Sequence, residues 1–276
     1  MGRVLVVRPE PPLVAMLGAV LEPGRHDLEF CGGSAEAIRR VRERAIDVVV
    51  TDPATSVEED LALAAELQLA RPPLRVIVLA PEATQAEVVE TIRAKVFACF
   101  TCPFDYGEIA SMANTALLSE NWRDGIEVTS GLPHWLTLRV SCHLLTADRL
   151  VRFMTELQSS IPADRELLIT AFREMLLNAM EHGAGFDPEK VIEVTAARTK
   201  RAIVYHFRDP GEGFDARALD HSVLTTDPDA VLATAVRRAE RGLRPGGFGM
   251  LIVRNVVDEL VYNERGNEVI LIKHLD

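Results

Sequence analysis

Between Arg3 and Ser119 the chain alternates short β-branched runs with amphipathic stretches, and this alternation constrains the fold more than any other feature of the sequence. Such an order is typical of repeated βα units around a parallel sheet. Apolar residues recur at spacings of three and four between the runs, which predicts helices there. We expect five strands and five helices, with strands at 3–7, 27–31, 47–51, 74–79 and 97–101 and helices that include 35–44, 83–94 and about 105–120.

The order of elements changes after the polar segment 121–125, which we take as the domain boundary. Beyond it, strand-like runs and long helical patterns no longer alternate singly, which predicts helices on one face of a mixed, mostly antiparallel sheet. The elements are expected at 126–128, 136–142, 146–160, 164–181, 190–197, 201–208, a helix from Phe248, 259–263 and 268–274. We therefore predict a first domain at 1–120, a linker at 121–135 and a second domain at 136–276.

The composition restricts the partners that such a chain can have. Its 30 basic and 41 acidic residues give a net charge of −11, which argues against direct binding to nucleic acid or to anionic lipid. The longest apolar runs, such as 76–80, are far shorter than the ~18 residues of a membrane-spanning helix. The apolar stretch within 1–8 is too short for a secretory signal, and the four cysteines are too scattered for a disulfide framework. We expect a reduced, cytoplasmic protein.

One carboxylate in the first domain follows a buried strand: the run Asp47-Val48-Val49-Val50-Thr51 ends in Asp52. The five βα units with this residue at the tip of the third strand resemble a response-regulator receiver domain over about 120 residues. The resemblance implies a flavodoxin-like fold with a five-stranded parallel sheet. In that family an Asp at this position accepts a phosphoryl group, so Asp52 is the candidate phosphoacceptor.

The other parts of a receiver phosphorylation site differ in this chain. The first strand is followed by Arg8-Pro9-Glu10 rather than by a carboxylate pair, the fourth strand ends in Ala80, and Cys102 stands where the family has Lys. Mg²⁺ prefers several hard oxygen ligands, for which Glu10 alone is a poor replacement. A phosphoryl group needs cationic donors, and Arg8 could supply such a charge to this pocket. We therefore predict a pseudo-receiver that docks or dimerises without phosphorylation of Asp52.

Two further patterns in the first domain have structural explanations. The spacing Cys99-Phe100-Thr101-Cys102 is found in zinc and redox sites, but both cysteines fall along a predicted strand, which favours buried packing. On the boundary helix, an apolar stripe provides either a face for a partner or the core of the domain itself, and we favour the core. This stripe comprises Ile109, Met112, Ala113, Ala116 and Leu117.

Three short motifs in the second domain indicate a chemical function only when they are taken together. Glu174, Asn178 and His182 are spaced by four, so they project from one face of the predicted helix 164–181. This pattern alone also fits a solvated helix face. Next, Asp209 with Gly211 and Gly213 follows a strand, which would let the backbone approach a flat ligand while the carboxylate accepts a hydrogen bond from an amine.

The third motif is the glycine-rich run 244–249, which opens the last predicted helix and presents free N–H groups to an anion. In this order the three motifs resemble the ATP-binding fold of the gyrase, chaperone and histidine-kinase superfamily. They are most similar to the anti-sigma-factor serine kinases, from Leu136 to Asp276. The resemblance implies a two-layer α/β sandwich of the Bergerat type that binds ATP and Mg²⁺.

The resemblance also implies a role for each residue of the motifs. Asn178 would ligate Mg²⁺ through its amide oxygen, and Glu174 would be the catalytic base. Asp209 would hydrogen-bond the adenine amino group. The remaining cofactor-binding residues would be Gly211 and Gly213, which clear room for the base, Gly247 and Gly249 at the phosphates, and His182. Residues 215–245 would form a lid over ATP, whose Arg237, Arg238, Arg241 and Arg244 are candidate cations for the γ-phosphate.

These expectations combine into one functional hypothesis and one alternative. A sensor histidine kinase is disfavoured, because the helix 146–160 ahead of the ATP motifs contains no His. The chain is expected to be an ATP-dependent serine/threonine kinase that phosphorylates an antagonist (anti-anti-sigma type) protein and so controls a sigma factor, with the first domain as modulator. The alternative is a non-catalytic switch that binds nucleotide and sequesters a partner. The resemblance also suggests a homodimer.

Overall fold

The structure is a computed structural model that describes residues 2–21, 26–119, 123–132, 134–158, 165–214 and 249–275. The chain divides into two compact units. The first comprises Met1–Asp124 together with the short segment Arg152–Leu157. The second comprises Gly125–Val151 and Gln158–Asp276. Among the helices within these described ranges, none is both long and apolar enough to cross a membrane.

The first unit contains a parallel sheet with helices between its strands. Its elements are β1 (Gly2–Val7), α1 (Pro11–Val20), β2 (His26–Cys31), α2 (Ser34–Glu43), β3 (Val48–Val50), α3 (Val57–Ala70), β4 (Arg75–Ala80), α4 (Gln85–Arg93), β5 (Ala98–Thr101) and α5 (Tyr106–Leu118). The strand order is β2-β1-β3-β4-β5, and every pair is parallel. This is the flavodoxin-like order that receiver domains share, so the predicted fold of the first domain is confirmed.

Burial explains why these strands are easy to predict from the sequence. All three residues of β3 and all six of β4 are buried, as expected for strands that are covered on both faces. Ser56 and Thr84 begin α3 and α4 with capping boxes, which satisfy backbone N–H groups at each helix start. The apolar stripe of α5 buries Ile109, Met112, Ala113 and Ala116 in the core of its own unit, as we predicted.

The second unit contains a six-stranded sheet covered by helices. Its elements are β6 (Ile126–Leu132), β7 (Trp135–Ser141), α6 (Leu144–Leu157, whose residues 152–157 group with the first unit), α7 (Arg165–Asn178), a π-helical turn (Ala179–Gly183), β8 (Val191–Arg198), β9 (Ala202–Arg208), α8 (Gly249–Val256), β10 (Glu259–Tyr262) and β11 (Glu268–His274). The strand order is β10-β11-β9-β8-β7-β6. All pairings described are antiparallel, whereas the sequence predicted a mixed sheet. Three of them are hairpins, whose short connections permit only antiparallel pairing.

Residues 126–132, which fall in the predicted linker 121–135, form the edge strand β6 of this sheet. The strand continues past Val128 through a bulge between Val128 and Ser130, which shifts its register against β7. The Ser-Gly pair within β6 resembles a turn in the sequence, which is why we expected the strand to end at 128. Residues 120–122 of the predicted boundary lie outside the described residues.

Aromatic packing holds α7 on the sheet of the second unit. The ring of Phe172 lies 5.0 Å from that of Tyr205 and 5.2 Å from that of Phe207, measured between centroids. Both partners project from β9, and all three side chains are fully buried. Since α8 in turn packs against α7, the sheet fixes the position of both helices. The end of α7, the end of β9 and the start of α8 carry the motifs that the sequence singled out.

Candidate functional site

The helix that carries Glu174 and Asn178 changes its geometry directly after them. The α-helix α7 ends at Asn178, and Ala179–Gly183 continue it as a π-helical turn. Ala184 N–H donates to the Ala179 carbonyl at 3.1 Å, the wider bond of such a turn. The sequence predicted regular α-helix to residue 181, and the apolar spacing carries no signal for the extra residue. Turns of this kind are frequent at functional sites.

Glu174 contacts the first residue of α8, although the two are far apart in the sequence. A Cβ atom added to Gly249 would lie 2.1 Å from Glu174 Oε2 and 2.9 Å from its carboxyl carbon. A side chain at position 249 would therefore displace the carboxylate. The structure thus brings the predicted base together with one of the two glycines that we predicted at the phosphates.

Asp209 follows β9 and lies between two glycines. Gly211 N–H donates to Asp209 Oδ1 at 2.8 Å, so the chain folds back on the carboxylate. A Cβ atom added to Gly183 would lie 2.1 Å from the Asp209 carboxyl carbon, and one added to Gly211 would lie 2.7 Å from the Gly183 carbonyl oxygen. Asp209 is half-buried in a cradle that side chains at 183 or 211 would fill.

The electrostatics of Asp209 follow from this position. Burial raises the pKa of its carboxyl group, and the hydrogen bond from Gly211 partly offsets that increase. Gly183, for which the sequence predicted no role, forms one wall of the cradle. Its only sequence signal was its position next to His182 at the end of a helical pattern.

Gly213 has a packing role. Its φ of +81° lies in the left-handed region, and a Cβ atom there would lie 1.9 Å from the Arg265 carbonyl oxygen. The loop after Asp209 therefore rests directly on the turn between β10 and β11. The sequence predicted that Gly213 makes room for a bound base, and the structure adds this contact with the turn.

The remaining predicted residues divide into those that the structure describes and those that it does not. Asn178 is half-buried, and its Nδ2 donates to Met175 Sδ at 3.9 Å, so that Oδ1 is the atom left to act as a ligand. His182 is exposed on the π-helical turn. Outside the described residues lie Gly247, the predicted lid 215–245 and its arginines Arg237, Arg238, Arg241 and Arg244.

In the first unit, the predicted phosphoacceptor already has partners within the protein. Arg8 Nη1 lies 3.2 Å from Asp52 Oδ2, and Asp52 Oδ1 accepts the Ala54 N–H at 3.0 Å. The Gly32 carbonyl holds the same guanidinium by accepting from Arg8 Nε at 2.9 Å. The side chain of Asp52 is only 6% exposed. A cation from the chain itself therefore lies at the carboxylate where receivers use Mg²⁺.

The other acidic residue of this pocket is also paired. Tyr106 O–H donates to Glu10 Oε2 at 2.5 Å, and Tyr106 opens helix α5. Glu10 is thus held by a neutral donor, which leaves it poorly placed to join Asp52 around a metal ion. Arg8 and Glu10, the residues at which the sequence departs from the receiver pattern, are thus the ones that make these two contacts.

The two cysteines of the Cys-x-x-Cys motif have different surroundings. Cys99 is fully buried on β5, where burial raises the pKa of its thiol to about 12. Cys102 is exposed in the loop that follows, so the predicted packing role holds for Cys99 alone. Across the described parts of the chain, no group of three or more His, Cys, Asp and Glu side chains is arranged to hold a metal ion.

The fold and this arrangement agree with what a comparison of protein families finds. Residues 145–273 match the family described as "Histidine kinase-like ATPase domain". The match covers most of the second unit, and this region follows a unit whose strand order is flavodoxin-like.

Individual relatives match the first part. The transcriptional regulatory protein GlrR of Escherichia coli K12 is 26% identical over 137 residues, which cover 48% of this chain and 31% of that protein. Among solved structures, the receiver domain of an HD domain-containing protein from Pseudomonas fluorescens Pf-5 is 19% identical, with a TM-score of 0.36 over 42% of this chain and 94% of that chain. The HemR receiver domain from Leptospira biflexa is 20% identical, with a TM-score of 0.38 over 45% of this chain and 99% of that chain.

Proposed function

We propose that the chain is an ATP-dependent serine/threonine protein kinase of the anti-sigma-factor type. It would phosphorylate an antagonist (anti-anti-sigma type) protein in a partner-switching pathway and thereby control a sigma factor, with the receiver-like unit as modulator. One observation carries the proposal: within a histidine kinase-like ATPase domain, the Glu174 carboxylate contacts Gly249 at the start of α8. A base for the substrate hydroxyl and a helix start that can bind phosphate are two of the parts that phosphoryl transfer uses.

The cradle around Asp209 fits the base of ATP. A carboxylate is an acceptor, so it pairs with the exocyclic amine of adenine but not with the carbonyl that guanine has at the same position. Gly183 and Gly211 allow the backbone to pack directly against this carboxylate, since a side chain at either position would collide with it. In this proposal Asp209 orients the base, while Gly249 and Gly247 lie at the phosphates.

Asn178 would hold Mg²⁺ through Oδ1, one turn along α7 from Glu174. Mg²⁺ commonly keeps several waters and phosphate oxygens, so one amide ligand from the protein is enough. Glu174 would accept the proton of the substrate hydroxyl as its oxygen bonds to the γ-phosphorus and ADP leaves. The metal would supply charge compensation at the phosphates.

The first test is calorimetric titration of Mg-ATP and Mg-ADP into the full chain. We expect binding that weakens by about tenfold or more in Gly183→Ala, because the new methyl group collides with Asp209. Asn178→Ala should weaken Mg-ATP binding but leave binding in EDTA unchanged. Asn114→Ala on α5 is the matched control and should bind like the wild type. Absence of nucleotide binding in the wild type would refute the proposal.

The second test separates the kinase from the non-catalytic switch. With labelled ATP and a panel of purified antagonist proteins, Glu174→Gln should retain nucleotide binding and lose transfer to a Ser or Thr of the substrate. General-base catalysis contributes typically 10²–10⁴-fold to a rate, so the loss should be of that order. Equal partner control by the wild type and Glu174→Gln would instead support a switch that sequesters its partner without transfer.

A further inference from the structure

Asn267, in the turn between β10 and β11, makes two hydrogen bonds with the residue at the centre of the cradle. Asp209 N–H donates to the Asn267 carbonyl at 3.0 Å, and Asn267 Nδ2 donates back to the Asp209 carbonyl at 3.1 Å. Both peptide groups of Asp209 are thereby held by a residue 58 positions away. The side chain of Asn267 is only 7% exposed, so water competes little for these bonds.

A second asparagine fixes the orientation of the Asn267 amide. Asn263 Nδ2 donates to Asn267 Oδ1 at 3.0 Å, which leaves Nδ2 of Asn267 to face Asp209. Asn263 Oδ1 in turn accepts the N–H groups of the residues that shape the turn: Gly266 at 2.7 Å, Asn267 at 3.1 Å and Glu268 at 3.2 Å. The turn is therefore rigid at the position from which Asn267 reaches Asp209.

The same turn also contacts the rest of the loop after Asp209. Arg265 Nε donates to the Glu212 carbonyl at 3.2 Å, and Gly213 packs on the Arg265 carbonyl. Further along, the ring of Phe214 lies 5.4 Å from that of Tyr262 at the end of β10. Residues 209–214 thus lie along the turn 262–267 over their whole length, and Asn267 is the contact at Asp209 itself.

We infer that Asn267 is a positioning residue that holds the Asp209 carboxylate at the orientation needed to select adenine. The inference rests on the proposed binding of ATP in the cradle. Asp209 distinguishes adenine from guanine by a single hydrogen bond, which depends on direction and distance. The main-chain bond from Asp209 N–H persists in any variant at 267, but the side-chain bond from Asn267 Nδ2 to the Asp209 carbonyl is lost, which would let the carboxylate move and weaken the discrimination. Asn267 itself would not touch the nucleotide.

The test compares Mg-ATP with Mg-GTP affinity in the full chain. Asn267→Asp keeps the size of the side chain and its acceptor oxygen but removes the donor to Asp209. Asn267→Ala removes the side-chain donor and the side-chain acceptor. We expect each to reduce the ratio of ATP to GTP affinity by about five- to tenfold, mainly through weaker ATP binding. Glu264→Ala, an exposed residue of the same turn, is the control and should leave the ratio unchanged.

Thermal unfolding of each variant separates positioning from folding. A folded Asn267 variant with an unchanged ATP-to-GTP ratio would overturn the inference, and so would loss of the folded state in both variants, since Asn267 would then serve folding alone. Wild-type protein that binds ATP and GTP equally would also overturn it. Wild-type protein that binds neither nucleotide would refute the proposed function, which is a different outcome.

Discussion

Asp60 shows how one buried residue makes the first unit sensitive to pH. Asp60 is 1% exposed, and its two oxygens face the hydroxyls of Thr51 and Thr55, each at 2.7 Å. Thr55 Oγ1 also lies 2.7 Å from the Asp52 carbonyl, yet a hydroxyl has one proton to donate. The Thr55 hydroxyl is therefore shared between the Asp60 carboxylate and the Asp52 carbonyl. Burial raises the pKa of Asp60 to about 6, and the two threonines partly offset that increase.

We expect this residue to make the first unit more stable in mild acid than at neutral pH. The pKa of Asp60 in the folded state lies above its ordinary value of 3.8, so the folded state binds the proton more tightly. The resulting stability is complete below the ordinary pKa and is lost as pH rises through about 6. The shift corresponds to about 3 kcal/mol of unfolding free energy.

Denaturant titrations between about pH 4 and about pH 7 measure this effect. Asp60→Asn cannot titrate, so the dependence on pH in this range should become much weaker, whereas Glu66→Gln on the exposed side of α3 should leave it as in the wild type. Equal slopes in wild type and Asp60→Asn would contradict the assignment.

Residue roles were predictable from sequence only where a side chain has a chemistry of its own. Asp209, Glu174 and Asn178 could be proposed because a carboxylate or an amide in a motif suggests acceptance, base catalysis or ligation. Gly183 and Asn267 could not, because each acts through a tertiary contact with Asp209. Likewise, the sequence could place Arg8 near the pocket but could not show that its guanidinium reaches Asp52.

At the scale of elements, the last part of α6 contributes an ion pair to the first unit. Arg152 pairs with Glu156 one turn further along, and its Nη1 lies 2.7 Å from Glu108 on α5. The guanidinium also stacks over the ring of Phe100 at 4.7 Å, and Thr101 O–H donates to Glu156. The side chains of Arg152 and Glu156 are only 6% and 3% exposed, so water solvates neither charge well and each charge compensates the other.

We therefore expect Arg152→Met to destabilise the first unit by about 3–5 kcal/mol, because it leaves the Glu156 carboxylate buried without its cation. The double variant Arg152→Met with Glu156→Gln removes both charges and keeps an acceptor for Thr101, so it should recover most of that loss. Chemical unfolding of the two variants and the wild type measures both values. A double variant no more stable than the single one would show that the guanidinium acts through packing instead.

The elements themselves were predictable to different degrees. Strands such as β4 were placed within one residue, because full burial gives a continuous apolar run. Strand β6 was predicted too short, since its bulge and its Ser-Gly pair interrupt the local pattern while pairing with β7 maintains the strand. The π-helical turn after Asn178 was missed because it depends on how α7 meets the loop that follows. Local periodicity carries no information about which distant strands pair.

For the whole molecule, each unit carries its own sequence signal. Alternation of strands and helices defines the first unit, and ordered motifs define the second, so both folds could be predicted from the amino-acid sequence. The direction of strand pairing in the second sheet was only partly predicted. Three of the pairs are local hairpins, but β7–β8 and β9–β11 join strands that are far apart in the sequence. The proposed function requires the receiver-like unit to modulate the second unit, and so to communicate with it.

Our last prediction is that this communication does not use phosphorylation of Asp52. Arg8 pairs with Asp52 Oδ2, the Ala54 N–H donates to Asp52 Oδ1, and Tyr106 donates to Glu10, so these acidic side chains already have partners within the protein. The sequence after the first strand also lacks the carboxylate pair that would hold Mg²⁺. Incubation with acetyl phosphate and Mg²⁺ should leave the intact mass of the protein unchanged. It should also leave its affinity for Mg-ATP unchanged, with a receiver that retains the full acidic pocket as the positive control. A phosphoryl adduct that disappears in Asp52→Ala would show instead that Arg8 yields to the phosphoryl group, in which case Arg8→Ala should increase the extent of phosphorylation.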